Sequence, residues 1–420
     1  AINPTYSTFF RTVAERLTVQ HHYDEAVALL EQAVALQPKD YYALSELGSG
    51  YLRLGADDKG LESLRRAWKG DRYNRRTLNL LNLFEKTIPA GYTVVTTDID
   101  AAKKGQGGLR LRIPKAEESL LLPLLVPMIQ AEWKDLTARY EFTPKLPLTL
   151  ELFSDADDYA IRTVGLPGLA ALGVTFGQVV TGRSPAQGDF NWALMVWHEL
   201  SHVFAIQLSR SRVPRWFTEG LSEYETIIRR PEWKREEEPA LFAALKAGRI
   251  PFVDSFNKAF THVDNVEDVT MAYYAASQIS VFIAEQFGFA KLVSMMPRWA
   301  SGERTPEVVA QAQAHAKKPP ITERPADRLK PEWQALRQAA LALPGCNGSD
   351  EDVLTHAMFP QVAPKFFTQR DAGPKNLGQP REPAAPAADS APAANVADPL
   401  RSPIVYDVTL GGRTRAEWAP

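Results

Sequence analysis

Trp197-His198-Glu199-Leu200-Ser201-His202 and, after a short connection, Trp216-Phe217-Thr218-Glu219-Gly220-Leu221-Ser222-Glu223-Tyr224 decide how this chain is read. On a helix, residues four apart share a face, so His198 and His202 aim their imidazoles at one point with Glu199 projecting beside them. That arrangement predicts a zinc site with a general base built in. Glu219 and Glu223 repeat the four-residue spacing on a second helical stretch, where two carboxylates on an otherwise apolar face call for a cation.

Both helices are predicted from their own residues. Asp189 can cap the first, and no Gly or Pro interrupts the run from Phe190 to Arg212. Leu194, Met195, Trp197, Val203, Phe204 and Ile206 wrap most of its circumference, which predicts a helix buried inside a domain. Pro214 closes the connection, and the second helix is expected from about Trp216 to Arg230, stopped by Pro231.

The two motifs together resemble the gluzincin metallopeptidases, specifically the peptidase MA-like group found beside tetratricopeptide repeats. The resemblance implies His198, His202 and Glu219 as ligands of Zn2+, Glu199 as general base, and Glu223 as the acid that hydrogen-bonds a ligand histidine and fixes its tautomer. It implies peptide hydrolysis by a metal-bound water whose pKa falls to about 7, with Glu199 taking its proton and later delivering it to the leaving amine. Downstream, Ile279, Phe282, Ile283 and Gln286 have helical spacing before Gly288. This segment resembles the family helix that opens with a tyrosine, which would make Tyr273 the oxyanion donor, with Tyr274 one register away. The alternative is that both rings pack in the core.

Composition sets the outer bounds. The 420 residues are 45% hydrophobic and carry a net charge of -2 with mixed signs, as in an ordinary globular protein of two or three domains. There is no basic stripe, so neither nucleic acid nor an anionic membrane surface is expected as a partner. The most apolar run, Leu120 to Ile129, contains Pro123 and Pro127, is too short for a membrane span, and reads as a buried helix. A single cysteine, Cys346, excludes an internal disulfide. Ala1 to Thr8 holds neither a basic nor an apolar leader region, and localisation stays open.

Near the start, Ala26, Leu30 and Ala33 recur 34 positions later as Gly60, Leu64 and Ala67, and Phe10, Val13, Ala14 and Leu17 as Leu44, Leu47, Gly48 and Tyr51. The period resembles the tetratricopeptide repeat, whose helix pairs stack because neither buries its apolar face alone. Residues 1–86 are therefore expected to be TPR-like helical repeats that could dock a protein partner, with His21 and His22 solvated in a turn. A zincin-like domain follows over 87–318. Strands are expected at Tyr92 to Thr96, Leu109 to Ile113 and Leu146 to Phe153, with a helix from about Ala116 to Arg139 between the last two. Gly173 to Gly182 has the composition of a further strand, and the gluzincin resemblance implies that it would be the sheet edge on which peptide substrate lies.

The end of the chain has a different character. Ile321 to Asp327 and Gly348 to Phe367 resemble the tail of the conserved carboxylase domain found in oxaloacetate decarboxylase and in the B subunit of pyruvate carboxylase. Residues 319–371 are assigned to that segment, 372–402 to a Pro/Ala-rich linker, and 403–420 to a truncated β segment like the start of a biotin-carrier domain. The family's catalytic barrel is not found upstream and no Ala-Met-Lys-Met motif follows, so carboxyl transfer ranks low on sequence grounds.

The fold expected is thus α+β, a zincin-like metallopeptidase domain preceded by an α-helical TPR hairpin array and followed by a partly disordered tail. The function expected is a zinc metallopeptidase, a hydrolase acting on a peptide or protein substrate, with a catalytically inactive TPR/peptidase-like binding scaffold as the alternative.

Overall fold

The structure is a computed structural model and describes residues 6–233, 240–241, 243–244, 249, 256–261 and 266–314. The chain begins with α1 (Ser7–Val19), α2 (Tyr23–Leu36), α3 (Tyr41–Arg53), α4 (Asp57–Gly70) and α5 (Arg75–Asn82). Asp40 caps α3 by accepting from the Ala43 amide at 3.0 Å, and Asn74 caps α5 by accepting from Thr77 at 3.1 Å. The small residues of the 34-residue period let these helices approach closely. A Cβ on Gly48 would stand 2.6 Å from Leu64 Cγ, so only glycine fits there. Ala14, Ala26, Leu30, Ala33, Leu44, Leu47 and Ala67 share one buried cluster.

His21 departs from its expected solvation. It holds a left-handed φ of 65°, is half-buried, and places Nδ1 2.8 Å from the Tyr23 hydroxyl. Burial first, and then the charge of Arg215, hold its pKa well below the usual histidine value, so it is neutral at pH 7.

A π-helical turn, Leu83–Thr87, leads through the short α6 (Ile88–Gly91) into the sheet. Its strands are β1 (Tyr92–Asp98), β2 (Gly108–Pro114), β3 (Leu148–Phe153), β4 (Gly173–Thr175) and β5 (Val179–Arg183), in the spatial order β1-β2-β3-β5-β4. β2 and β3 pair in parallel, as do β3 and β5, while β1–β2 and β4–β5 are antiparallel. Between β2 and β3 runs α7 (Glu118–Tyr140), which buries Leu121, Leu125, Ile129 and Leu136 and leaves Leu120 and Leu124 exposed. Asp155 caps α8 (Ala156–Val164), accepting from the amides of Asp157 and Asp158 at 2.9 Å.

Gly173 to Gly182 is not one strand. Gly177, at φ 99°, turns the chain so that β4 folds back on β5 and takes the sheet edge.

The sheet is tied to the N-terminal helices by a buried ionic network. Arg112 on β2 pairs with Glu151 on β3 and, at 2.7 Å, with Asp57 on α4; Glu151 also holds Arg162 of α8 at 2.5 Å. Apolar packing runs the same way, since Tyr23, Leu52 and Leu64 share a cluster with Phe153, Tyr159 and Phe176.

The remaining helices are α9 (Trp192–Leu208), α10 (Arg215–Arg229), α11 (Lys258–Thr261), α12 (Val266–Phe287), α13 (Phe289–Ala300) and α14 (Thr305–Ala314). The cap of α9 is Asn191, which accepts from the Leu194 amide at 3.0 Å, and not Asp189 as expected. Left-handed Arg210 and Ser211 end that helix before Arg212. Gly288, at φ 86°, separates α12 from α13. Among the described residues, no single helix is long and apolar enough to cross a membrane, although α12 and α13, bent by 115°, would pass as a pair. The segments expected at 319–371, 372–402 and 403–420, with Cys346, lie outside the described residues.

Candidate metal centre

α9 is apolar on nearly every face because it is enclosed, and the same enclosure buries its polar residues. His198, Glu199, His202 and Glu219 are all fully buried. Such groups inside a domain need specific partners. α10 supplies them, and its position has two causes. Arg139 and the Tyr140 hydroxyl on α7 both bind Glu225, each at 3.0 Å, which fixes the helix from one side. On the other side Gly220 lets α12 come close, since a Cβ there would lie 2.2 Å from the Ala276 carbonyl oxygen.

The result is a convergence of three donors. Glu219 Oε2 lies 3.4 Å from His198 Nε2 and 3.3 Å from His202 Nε2, and the three ligand atoms lie within 4.8 Å of one another. The imidazole centroids are 4.8 Å apart with the rings at 81°. A tetrahedron with metal–nitrogen bonds of about 2.05 Å has edges of about 3.3 Å, so two of these separations suit one small cation. The chain therefore carries a His/Glu group able to hold a metal ion.

The outward ring nitrogens also face polar groups. His198 Nδ1 faces Glu223 Oε1 at 3.4 Å, and His202 Nδ1 sits 2.8 Å from Thr218 Oγ1 and 3.0 Å from Ser222 Oγ. Arg215, one turn before Glu219, approaches its Oε1 at 3.4 Å. Glu199 is oriented from the sheet edge, where the Thr175 hydroxyl donates to its Oε2 at 2.6 Å. Gly173 is required in the same strand, because a Cβ would stand 2.4 Å from Glu199 Oε1.

Sequence reasoning named His198, Glu199, His202, Glu219 and Glu223, and the structure brings all five together. It missed Thr175, Arg215, Thr218 and Ser222. Thr218 and Ser222 share a helical face by their four-residue spacing, which was a usable signal; Thr175 reaches the site through tertiary packing and gave none. Tyr273 is buried on α12 and packs edge-on to Phe260 at 5.2 Å, and Tyr274 beside it is also buried.

Comparison with known proteins concerns another part of the chain. Residues 301–416 match the model of the conserved carboxylase domain. The chain is 44% identical over 115 residues to the methylmalonyl-CoA carboxyltransferase 5S subunit of Propionibacterium freudenreichii subsp. shermanii, covering 27% of this chain and 22% of that one. It is 43% identical over 62 residues to the B subunit of pyruvate carboxylase from Methanocaldococcus jannaschii, covering 15% of this chain and 11% of the relative. This chain thus spans less than a quarter of either relative.

These matches correct the expectation of a gluzincin zinc metallopeptidase. The relatives are a carboxyltransferase and a carboxylase subunit, not hydrolases of peptide bonds, and they give the inactive-scaffold alternative no support either. The physical reason for the misreading is that an HExxH spacing fixes where ligands point on a helix and leaves the reaction undetermined. The matched residues begin at 301, beyond the helices that carry the donors.

Proposed function

We propose that this chain is a metal-dependent, carboxylase-related protein in which His198, His202 and Glu219 hold a zinc ion and Glu199 accepts a proton. The observation that carries the metal reading is the approach of His198 Nε2 and His202 Nε2 to Glu219 Oε2, at 3.4 and 3.3 Å, among fully buried side chains. Nitrogen and carboxylate donors in this number suit zinc better than calcium or magnesium, which take mainly oxygen ligands. With Nε2 of each histidine as donor, Nδ1 carries the hydrogen, which His198 directs toward Glu223 and which Thr218 or Ser222 accepts from His202.

The carboxylase relation rests on the match over residues 301–416. Transfer of a carboxyl group from a carboxylated biotin to a keto acid breaks the carrier's N–carboxyl bond and puts a C–C bond where a C–H bond stood beside the carbonyl. A proton must therefore leave that carbon as negative charge builds on the carbonyl oxygen. A bound zinc would supply Lewis-acid polarisation of that oxygen. Glu199, held by Thr175 beside the metal ligands, is placed to take the proton. The N-terminal helix pairs, with their 34-residue period and shared core, are read as tetratricopeptide-like repeats offering a surface to a protein partner.

Two measurements test the two parts separately. Mass spectrometry of protein purified without added metal should find about one zinc per chain, lost in His202→Ala; protein that stays metal-free when zinc is offered would refute the site. Biotin-dependent release of carbon dioxide from a 3-carboxy-2-keto acid should then be detectable and should fall in Glu199→Gln. Zinc-loaded protein with no such activity would remove the carboxyl-transfer reading and leave the metal centre standing.

A further inference from the structure

Away from the metal centre, a cavity of about 160 Å³ opens where α1, α3 and α5 meet α8. Its walls carry three guanidinium groups, those of Arg53, Arg76 and Arg162. Arg53 is only 7% exposed and Arg162 only 2%. No carboxylate among the described residues lies within 4.0 Å of Arg53 or Arg76. Arg53 stands instead over the Tyr23 ring at 5.6 Å, and burial lowers its pKa. Arg162 shares Glu151 with Arg112, donates from Nη2 to the Leu52 carbonyl at 3.0 Å, and keeps a buried Nη1 without a hydrogen-bond partner.

A buried cation without a counter-ion is costly unless something compensates it. Arg162 has Glu151, but the acids lining this cavity do not pair with the other two guanidinium groups: Glu15 is 3.8 Å from Arg11, and Glu46 acts on Arg53 only from beyond ion-pair distance. The volume holds a small molecule together with some water. Guanidinium groups present planar pairs of N–H donors that match the oxygens of carboxylate and phosphate.

We propose that this cavity is a binding site for a small oxyanion, a phosphate- or carboxylate-bearing molecule held by Arg53, Arg76 and Arg162. The site is independent of the metal centre, and its occupant would brace the helical layer against α8.

The test is isothermal titration of the full chain with inorganic phosphate and, in a second arm, with succinate, at matched ionic strength against sodium chloride. Wild-type protein should bind at least one of the two with a stoichiometry near one, and the arm that binds tells phosphate from carboxylate chemistry. Arg76 is half-buried at the start of α5, so Arg76→Gln should keep the fold, with an unchanged melting temperature in chloride, and weaken binding about tenfold or more. Arg53→Lys, which keeps the charge and loses the fork, should weaken it less than Arg53→Gln. Absence of binding in both arms at ~10 mM anion, or equal affinity in wild type and Arg76→Gln, overturns the proposal.

Discussion

Replacing Gly220 by alanine probes the contact that sets the metal ligands in place. Gly220 follows Glu219 directly, and its missing side chain lets α10 pack against the backbone of α12. An added Cβ would lie 2.2 Å from the Ala276 carbonyl oxygen, 2.5 Å from its carbon and 2.9 Å from Ser280 Oγ. Ordinary contact is about 3.5 Å, so the helices must part by roughly 1 Å, and backbone on both sides cannot rotate away. Overpacking of this kind costs about 1–3 kcal/mol, and the gain in helix propensity from glycine to alanine offsets about 1 kcal/mol of it. The expected net loss is up to about 2 kcal/mol, read from the urea midpoint of metal-free protein. Because Glu219 moves with its neighbour, zinc affinity measured against a chromophoric chelator should fall as well. A variant that is as stable as wild type, or more stable, and binds zinc equally would refute the claim that this close approach positions the site.

Three further outcomes follow from other contacts. Glu132 is fully buried and neither carboxylate oxygen has a hydrogen-bond partner; burial, then Glu225, raise its pKa well above the ordinary 4.5. Its folded form binds the proton more tightly than its unfolded form, so its contribution to stability is lost as pH rises above about 4.5. Glu132→Gln should therefore stabilise the protein at pH 7 and flatten the pH dependence of its urea midpoint. Removing the Nδ1 partners of His202 in Thr218→Val/Ser222→Ala should lower zinc affinity about 10–100-fold with the fold retained by circular dichroism. Glu151→Leu leaves Arg162 without its carboxylate and Arg112 with Asp57 alone, and should lower stability by about 3–5 kcal/mol in denaturant unfolding.

What the sequence revealed was what depends on spacing along the chain. His198, His202, Glu219 and Glu223 are legible because a helix converts intervals of four into a shared face. β1, β2, β3 and α7 fall within a few residues of expectation because alternation and apolar periodicity are local signals. The cap of α9 was misplaced because Asp189 and Asn191 are equally good cap residues, and only the folded backbone chooses between them. β4 and β5 read as one strand because their apolar composition is continuous, although Gly177 inside it was a sign of the turn. Thr175 could not be found, as its contact with Glu199 spans 24 residues and joins a strand to a helix. The reaction was misjudged because motif residues report ligand geometry alone. The carboxylase likeness was legible in Ile321 to Asp327 and Gly348 to Phe367, inside the matched residues 301–416, but ranked low because no catalytic barrel is found upstream.

The cluster that unites Tyr23, Leu52 and Leu64 with Phe153 and Phe176 bears on how the chain is made. The first four helices can pair as they leave the ribosome, since their contacts are local. Their outward apolar face is covered first by Leu80, Leu81, Leu83, Phe84 and Ile88, and its cover is complete only when the sheet strands arrive. At synthesis rates of about 5–20 residues per second, the roughly ninety residues from Leu64 to Phe153 take about 5–20 s. Asp57 gains the arginine of β2 partway through that interval, and the apolar face stays only partly covered to its end, so the protein has a built-in window in which a chaperone, or another nascent chain, can reach it first.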